Sequence, residues 1–229
     1  MKRLVIVSIF VLAVLMVSVP LSAATIDLIS QTYSIDGTVY TPIGLPGTSV
    51  DITSNVPPLI APFPSPIDLH ANGGASGSSA FADVGANSSG LSGGFFPNAS
   101  ADLVFKTIGA SYLDLSYSAD GFGTGSSHIT LSDSTTGVTL VTVLGHDFDI
   151  VHDYTSGITL LPAPKNGDIY IPVISSDNYR LSVSASSDSD PAQARATLTA
   201  VPEPSTLLFF CSGLVGLVGL RKRLGKQDI

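Results

Sequence analysis

The sequence predicts an all-β protein: a central antiparallel β-sandwich, jelly-roll-like, flanked by one helix at each end of the chain. Apolar and polar residues alternate with a period of two in several short segments, many of them rich in β-branched and aromatic residues. Turn-forming dipeptides separate these segments at spacings of about 8 to 12 residues, as is typical of sandwiches. No helical period of ten residues appears outside the two chain ends.

The N-terminal element, residues 1–24, is predicted to be a secretory signal peptide. A basic start precedes an apolar run over residues 4–19, and Pro20 ends the helix because proline cannot donate to the helical ladder. Ser22 and Ala24 place small side chains at positions −3 and −1 of a cleavage site after Ala24. The signal predicts export through the secretion translocon and cleavage by signal peptidase; an uncleaved membrane anchor is the alternative.

Residues 25–200 are predicted to form one extracytoplasmic sandwich domain. The alternation is clearest in residues 113–117, 129–131 and 179–185, where leucine, isoleucine, valine and tyrosine take every second position. This period places one side of each segment in a core and the other in solvent. These three segments are therefore predicted strands.

Turn signals divide the rest of the domain. Asp-Gly at 36–37, Thr-Gly at 136–137 and Asn-Gly at 166–167 predict hairpin turns between strands. The Pro-rich stretch 44–66 predicts a long surface loop. Residues 71–95, rich in Gly, Ser and Ala, are interpreted either as thin strands or as a mobile loop.

Charge and cysteine content restrict the class of protein. Residues 25–200 hold sixteen Asp and four Lys or Arg, which leaves this segment with a net charge of −12. A polyanion needs a basic face, so nucleic-acid binding is excluded. The single cysteine, Cys211, lies in the C-terminal apolar run and excludes a disulfide scaffold or a zinc ribbon.

One cluster of potential metal ligands occurs, between His146 and Asp153. On a straight strand Asp147 and Asp149 share one face, while His146 and His152 share the other. The two carboxylates together suit a hard cation and suggest a weak Ca²⁺ site. The alternative is an acidic strand edge that discourages pairing with other chains. No other cofactor is predicted.

The C-terminal element, residues 201–229, has three parts. A motif of two prolines around a glutamate comes first, an apolar run follows as a predicted transmembrane helix over about 205–220, and a basic stop comes last. The apolar core of this helix, residues 207–220, spans about 21 Å at 1.5 Å per residue, against about 30 Å of hydrocarbon. Basic residues outside both apolar runs place both chain ends on the cytoplasmic side. The motif residues are Pro202, Glu203 and Pro204, and the stop residues are Arg221, Lys222 and Arg223.

This three-part arrangement resembles the PEP-CTERM sorting signal of Gram-negative bacteria. Glu203 is the only glutamate of the chain, and the prolines on either side hold the backbone extended. The resemblance implies that exosortase, a membrane-embedded cysteine transpeptidase, recognises Pro202, Glu203 and Pro204 and cleaves near them. It also implies a protein tethered to the inner membrane before processing, then placed on the cell surface or in the extracellular matrix.

Three functional hypotheses follow. The favoured one is a non-enzymatic surface or matrix protein, which the resemblance links to exopolysaccharide or biofilm and so to extracellular polysaccharide as a partner. The second is a carbohydrate-binding module, for which Tyr33, Tyr40, Tyr112 and Tyr117 are the candidate aromatic platform. The third is a secreted hydrolase, although the sequence has neither a nucleophile elbow nor a phosphate-binding loop.

Overall fold

The computed structural model describes residues 23–39, 48–60, 68–87, 97–121, 123–146, 149–175, 177–187 and 190–202. Ala24–Pro202 form one compact unit, which holds all of the described residues except Ala23. The described residues contain strands and turns and no helix. None of their elements is a helix long and apolar enough to span a bilayer. The two predicted terminal helices lie outside these residues.

Fourteen strands make up the described part of the chain. They are β1 (Thr25–Val39), β2 (Thr48–Ser54), β3 (Leu59–Ile60), β4 (Asp68–Ser76), β5 (Ser79–Asn87), β6 (Asn98–Ile108), β7 (Ala110–Gly121), β8 (Ser126–Asp133), β9 (Val138–Gly145), β10 (Ile150–Asp153), β11 (Ile158–Leu160), β12 (Asn166–Pro172), β13 (Asn178–Ser186) and β14 (Ala192–Pro202).

The strands form two antiparallel sheets that share one core. Sheet A has the order β11-β10-β9-β8-β13-β6-β1-β2, and sheet B has the order β12-β7-β14-β5-β4-β3. The predicted all-β sandwich is confirmed, and the segments 113–117, 129–131 and 179–185 are found in β7, β8 and β13. The jelly-roll-like path stays a prediction.

The core joins a face of large side chains to a face of small ones. Sheet A contributes Tyr33 and Phe105, and the Phe105 ring lies 6.0 Å from the ring of Tyr179 at an angle of 31°. Sheet B contributes mainly alanines from its inner strands, together with Leu113 and Leu115 of β7. Burial of this apolar surface, at about 25 cal/mol per Å², is the main stabilising term of the fold.

Two of the three predicted hairpin turns are wrong. Residues 36–37 continue β1, where Asp36 lies opposite Asp51 and the Asp36 carboxylate accepts a hydrogen bond from Asn98 at 3.1 Å. Residues 166–167 begin β12 and pair with β7. Gly167 serves close approach here, since a Cβ would lie 2.8 Å from the Tyr117 hydroxyl oxygen. Both glycines keep an extended backbone, so neither dipeptide makes the turn that its sequence favours.

The turn at 136–137 is confirmed, and the sequence pattern around it occurs twice. Residues 133–137 read Asp-Ser-Thr-Thr-Gly and residues 153–157 read Asp-Tyr-Thr-Ser-Gly, with glycine φ values of 75° and 73°. In each turn the aspartate Oδ1 accepts backbone hydrogen bonds, at 2.7 Å from Thr135 and 2.9 Å from Thr155. The second turn, at 153–157, was not predicted from the sequence.

The long loop predicted over 44–66 is wrong in part, because β2 and β3 lie within it. Both are edge strands, and apart from Val50 and Leu59, which pack against the core, most of their described side chains are exposed, so they lack the apolar alternation of buried strands. For residues 71–95, the strand alternative is confirmed as far as Asn87 by β4 and β5. Residues 40–47, 61–67 and 88–96 lie outside the described part.

Candidate functional site

The last strand carries the chain into the predicted sorting motif. β14 alternates buried alanines with polar residues and lies between β7 and β5, so it is an inner strand of sheet B. Leu198, its one large buried residue, lies opposite Leu115 on one side and Ala80 on the other. β14 runs to Pro202, so the first residue of the motif belongs to the sheet. Glu203, Pro204 and residues 221–223 lie outside the described residues.

The strand ends at a bulge beside Pro202. Val201 lies opposite Tyr112 and Pro202 lies opposite Ala110, so Ser111 has no partner on β14. Proline has no N–H to give to the ladder, which explains why regular pairing stops here. The Ser111 carbonyl accepts a hydrogen bond from Val173 at 3.0 Å, whereas its buried Oγ has no partner in the described structure.

The first and last strands meet at one end of the sandwich, which we call the terminal end. Thr25 begins β1 opposite Ile108, and Pro202 ends β14 opposite Ala110. Gly109, with φ of 68°, makes the short connection between those two partners. The chain therefore enters and leaves the sandwich at neighbouring positions.

A turn between β4 and β5 ties β1 and β14 together. The Gly77 carbonyl accepts the N–H of Ile26 in β1 at 2.8 Å, and the Ser78 carbonyl accepts the N–H of Ala200 in β14 at 2.7 Å. Since Ile26 belongs to sheet A and Ala200 to sheet B, the turn closes the terminal end across both sheets. Pro202 is thereby held two residues from a fixed hydrogen bond.

The strand geometry assumed for the cation site is wrong. β9 ends at Gly145 and β10 begins at Ile150 as its antiparallel neighbour, so the chain reverses where a straight strand was expected. Asp147 lies outside the described residues. Asp149 is half-buried, and its Oδ1 has no hydrogen-bond partner among the described groups. Within the described ranges no three His, Cys, Asp or Glu side chains come together as metal ligands.

Two of the tyrosines proposed as a platform are core residues. Tyr33 and Tyr117 are buried, and burial raises the pKa of Tyr33 to about 12. Tyr40 lies outside the described residues. Tyr112 is 41% exposed on the outer face of sheet B.

A second exposed tyrosine lies diagonally from Tyr112. Tyr170 of edge strand β12 is 64% exposed, opposite Asp114, while Pro172 lies opposite Tyr112. Residues so paired share one face and lie about 7–8 Å apart along the diagonal. Burial, and then the charge of Asp168, raise the pKa of Asp114. Tyr170 was missed in the sequence, although its alternation with Ile169 and Ile171 signals an outward position.

An open depression of about 440 Å³ lies on sheet A beside His128 and His146. His128 Nε2 is 3.0 Å from Thr130 Oγ1, and burial lowers the pKa of this imidazole. The Ser126 hydroxyl pairs with Ser186 at 2.7 Å. His128 is thus bonded to a threonine hydroxyl, and Ser126 is bonded to a serine hydroxyl.

Residues 200–223 match the family model of the PEP-CTERM protein-sorting motif. The resemblance drawn from the sequence is confirmed, and the matched segment begins inside β14, at Ala200. A motif of this kind marks a protein that exosortase sorts, with export and processing at the membrane. No curated protein matches the chain.

Proposed function

We propose that this chain is a non-enzymatic surface or extracellular-matrix protein, released from its membrane tether at Pro202–Pro204 and linked to exopolysaccharide or biofilm. The sorting motif that begins within β14 carries the proposal. In it, the signal peptide 1–24 and the helix 205–220 bracket the sandwich, and the stop residues 221–223 remain cytoplasmic. No cofactor takes part.

The structure suggests how the motif is presented. Because β14 is paired on both sides, the backbone as far as Val201 is unavailable to a protease cleft without breaking sheet hydrogen bonds. β14 ends at Pro202, and Glu203 is the next residue of the chain. The prolines on either side keep this residue extended, the conformation that protease clefts bind.

The test is the mass of the exported protein in a host that contains exosortase. Wild type should lose the residues from about the motif onward, including Arg221, Lys222 and Arg223, whereas Glu203→Ala should keep them. Ser205→Ala, just outside the motif, is the matched control and should be processed normally. A wild-type protein that keeps its basic tail in this host would make the C-terminus an ordinary anchor.

A second candidate function is carbohydrate binding, which the pair Tyr112 and Tyr170 favours. Two exposed rings on one sheet face offer apolar surfaces to a sugar. Co-sedimentation with the host exopolysaccharide should fall at least fivefold in Tyr170→Ala and in Tyr112→Ala. Tyr154→Ala, an exposed tyrosine in the β10–β11 turn, is the control. Equal binding by all three variants would reject the platform.

A further inference from the structure

We infer that the terminal end of the sandwich rests on the phospholipid surface for as long as the chain keeps its C-terminal span. The inference rests on the proposed function, because it takes residues 207–220 as that span. It adds the orientation of the sandwich and the surface that contacts lipid. Three observations support it: the reach of the chain, the side chains at the terminal end, and their charge.

The reach of the chain is short. Four residues, 203–206, separate Pro202 from the apolar run that begins at Leu207. At about 3.3–3.6 Å per residue, the five steps of chain from residue 202 to residue 207 can span at most about 18 Å. Part of that distance is the headgroup layer, about 5–8 Å thick. Because Pro202 is fixed in an inner strand, the connection to the span cannot be lengthened without breaking the pairing of β14 in the sheet.

Exposed aliphatic side chains lie at this end. Ile108, the last residue of β6, is 47% exposed, and Ile174, just after β12, is 66% exposed. The Ile174 loop is held at this end because the Ser175 hydroxyl accepts the Gly109 N–H at 2.9 Å. Val138, at the start of β9, is exposed at the same end of sheet A. Single exposed aliphatics are ordinary, but these lie where the tether begins, so lipid contact would bury them.

The charges of this end favour contact with zwitterionic rather than anionic lipid. Asp27 and Lys106 lie opposite each other in the β1–β6 register, which places one charge of each sign together. Asp133 is buried and bound by its own turn. Asp177 and, in the β10–β11 turn, Asp153 are further acids at this end, so acids outnumber bases there and anionic headgroups would repel it. Apolar insertion, rather than attraction to anionic headgroups, is therefore the expected mode of contact.

The absence of tryptophan from the chain permits a direct test. Full-length single-tryptophan variants Ile174→Trp and Ile108→Trp probe the terminal end. Leu161→Trp is the matched control, since Leu161 is 62% exposed but lies beyond β11, toward the opposite end. Each variant is reconstituted, without exosortase, into phosphatidylcholine vesicles with or without brominated acyl chains.

Bromine should quench the fluorescence of Ile174→Trp and of Ile108→Trp at least twofold and leave the Leu161→Trp signal unchanged. The inference is overturned if Ile174→Trp and Leu161→Trp are quenched equally, or if quenching at position 174 requires added exosortase. Two independent sites at the terminal end keep the test decisive if one variant misfolds. Normal tail removal in the exosortase host without quenching would reject this inference alone, whereas retention of the wild-type tail would reject the proposed function.

Discussion

The inner face of sheet A and the inner strands of sheet B build the same core in opposite ways. Sheet A supplies large residues such as Tyr33, Phe105 and Leu181, all fully buried. In sheet B, β4, β5 and β14 supply mainly alanine and glycine. At one contact a Cβ on Gly73 of β4 would lie 3.2 Å from the Tyr33 ring. Close packing is therefore reached by placing the large side chains of one sheet against the small side chains of the other.

Different kinds of substitution should therefore destabilise the two sheets. Sheet A carries most of the apolar volume, so truncation there leaves cavities. The inner strands of sheet B have small side chains. They stabilise the fold through backbone hydrogen bonds and by leaving room for the large side chains of sheet A. Enlargement, rather than truncation, should therefore damage them.

The largest effect should come from removing a whole inner strand of sheet B. A chain that ends at Pro191 lacks β14, so β5 and β7 each have one edge without a strand to pair with. Such a chain should show no cooperative melting and should aggregate through these open edges. A chain that ends at Pro202 should keep the β-type circular dichroism spectrum and melt cooperatively. If the two chains melt alike, pairing through β14 does not maintain sheet B.

Truncation in sheet A should come next. Phe105→Ala removes a fully buried ring that contacts Tyr179, and we expect a loss of about 3–5 kcal/mol in the free energy of unfolding. Urea denaturation followed by circular dichroism measures it. Val138→Ala, at an exposed position of the same sheet, should change stability by less than about 0.5 kcal/mol. Comparable losses in both variants would contradict the proposed role of sheet A.

Enlarging a buried alanine of sheet B should destabilise the fold less than truncation in sheet A does. The loss should still be measurable, although alanine and leucine are both apolar. Ala196 of β14 is fully buried between Tyr117 and Ala82, so Ala196→Leu should lower the free energy of unfolding by about 1–3 kcal/mol through overpacking. Phe105→Ala and Ala196→Leu can be compared in one denaturation series. The neighbouring Thr197→Val, on the outer face, provides the control. A stabilising Ala196→Leu would mean that the core holds a void under sheet B.

The smallest effect should come from the β8–β9 turn of sheet A, where a substitution removes hydrogen bonds of the turn without changing the volume of the core. Burial raises the pKa of Asp133, but hydrogen bonds from Thr136 and Thr135 outweigh it and hold the pKa below its ordinary value. A depressed carboxyl pKa contributes stability above the ordinary pKa, and this contribution is lost as the pH falls through the folded-state value. Asp133→Asn should therefore cost about 1 kcal/mol at pH 7 and flatten the acid limb of the stability curve.

Thermal melting from pH 2 to pH 7 measures this effect. Asp153→Asn, in the second copy of the turn, is the matched control. Asp153 makes similar hydrogen bonds but is less buried, so its loss should be smaller. An unchanged acid limb in Asp133→Asn would show that the turn adds nothing to the pH dependence.

The same contrast explains how much of the fold could be predicted. β7, β8 and β13 alternate large apolar with polar residues, so their period was evident. β14 alternates alanine with polar residues, a difference in hydrophobicity too small to notice, and it was not identified. The turn predicted at Asp36-Gly37 was wrong because pairing of β1 with β2 and β6 outweighs the local preference of this dipeptide for a turn.

The site was predictable to the extent that it is a linear signal. Pro202, Glu203 and Pro204, with the apolar run and the basic stop behind them, are consecutive along the chain, so the sequence suffices to locate the motif that the family model matches. Features that depend on two strands meeting were not predictable. The diagonal of Tyr112 and Tyr170 needs the β7–β12 register, and Asp149 was misplaced because the chain reverses between β9 and β10.

The place of β14 also sets an order of events during export. It is the last strand to cross the membrane, yet it fills a central gap in sheet B, between strands that emerge long before it. Until residues 192–202 are exported, β5 and β7 lack the strand that lies between them, so sheet B is incomplete. The last residues of β14 also belong to the segment that matches the sorting motif. The sandwich can therefore close only after the first residues of its sorting motif have been exported.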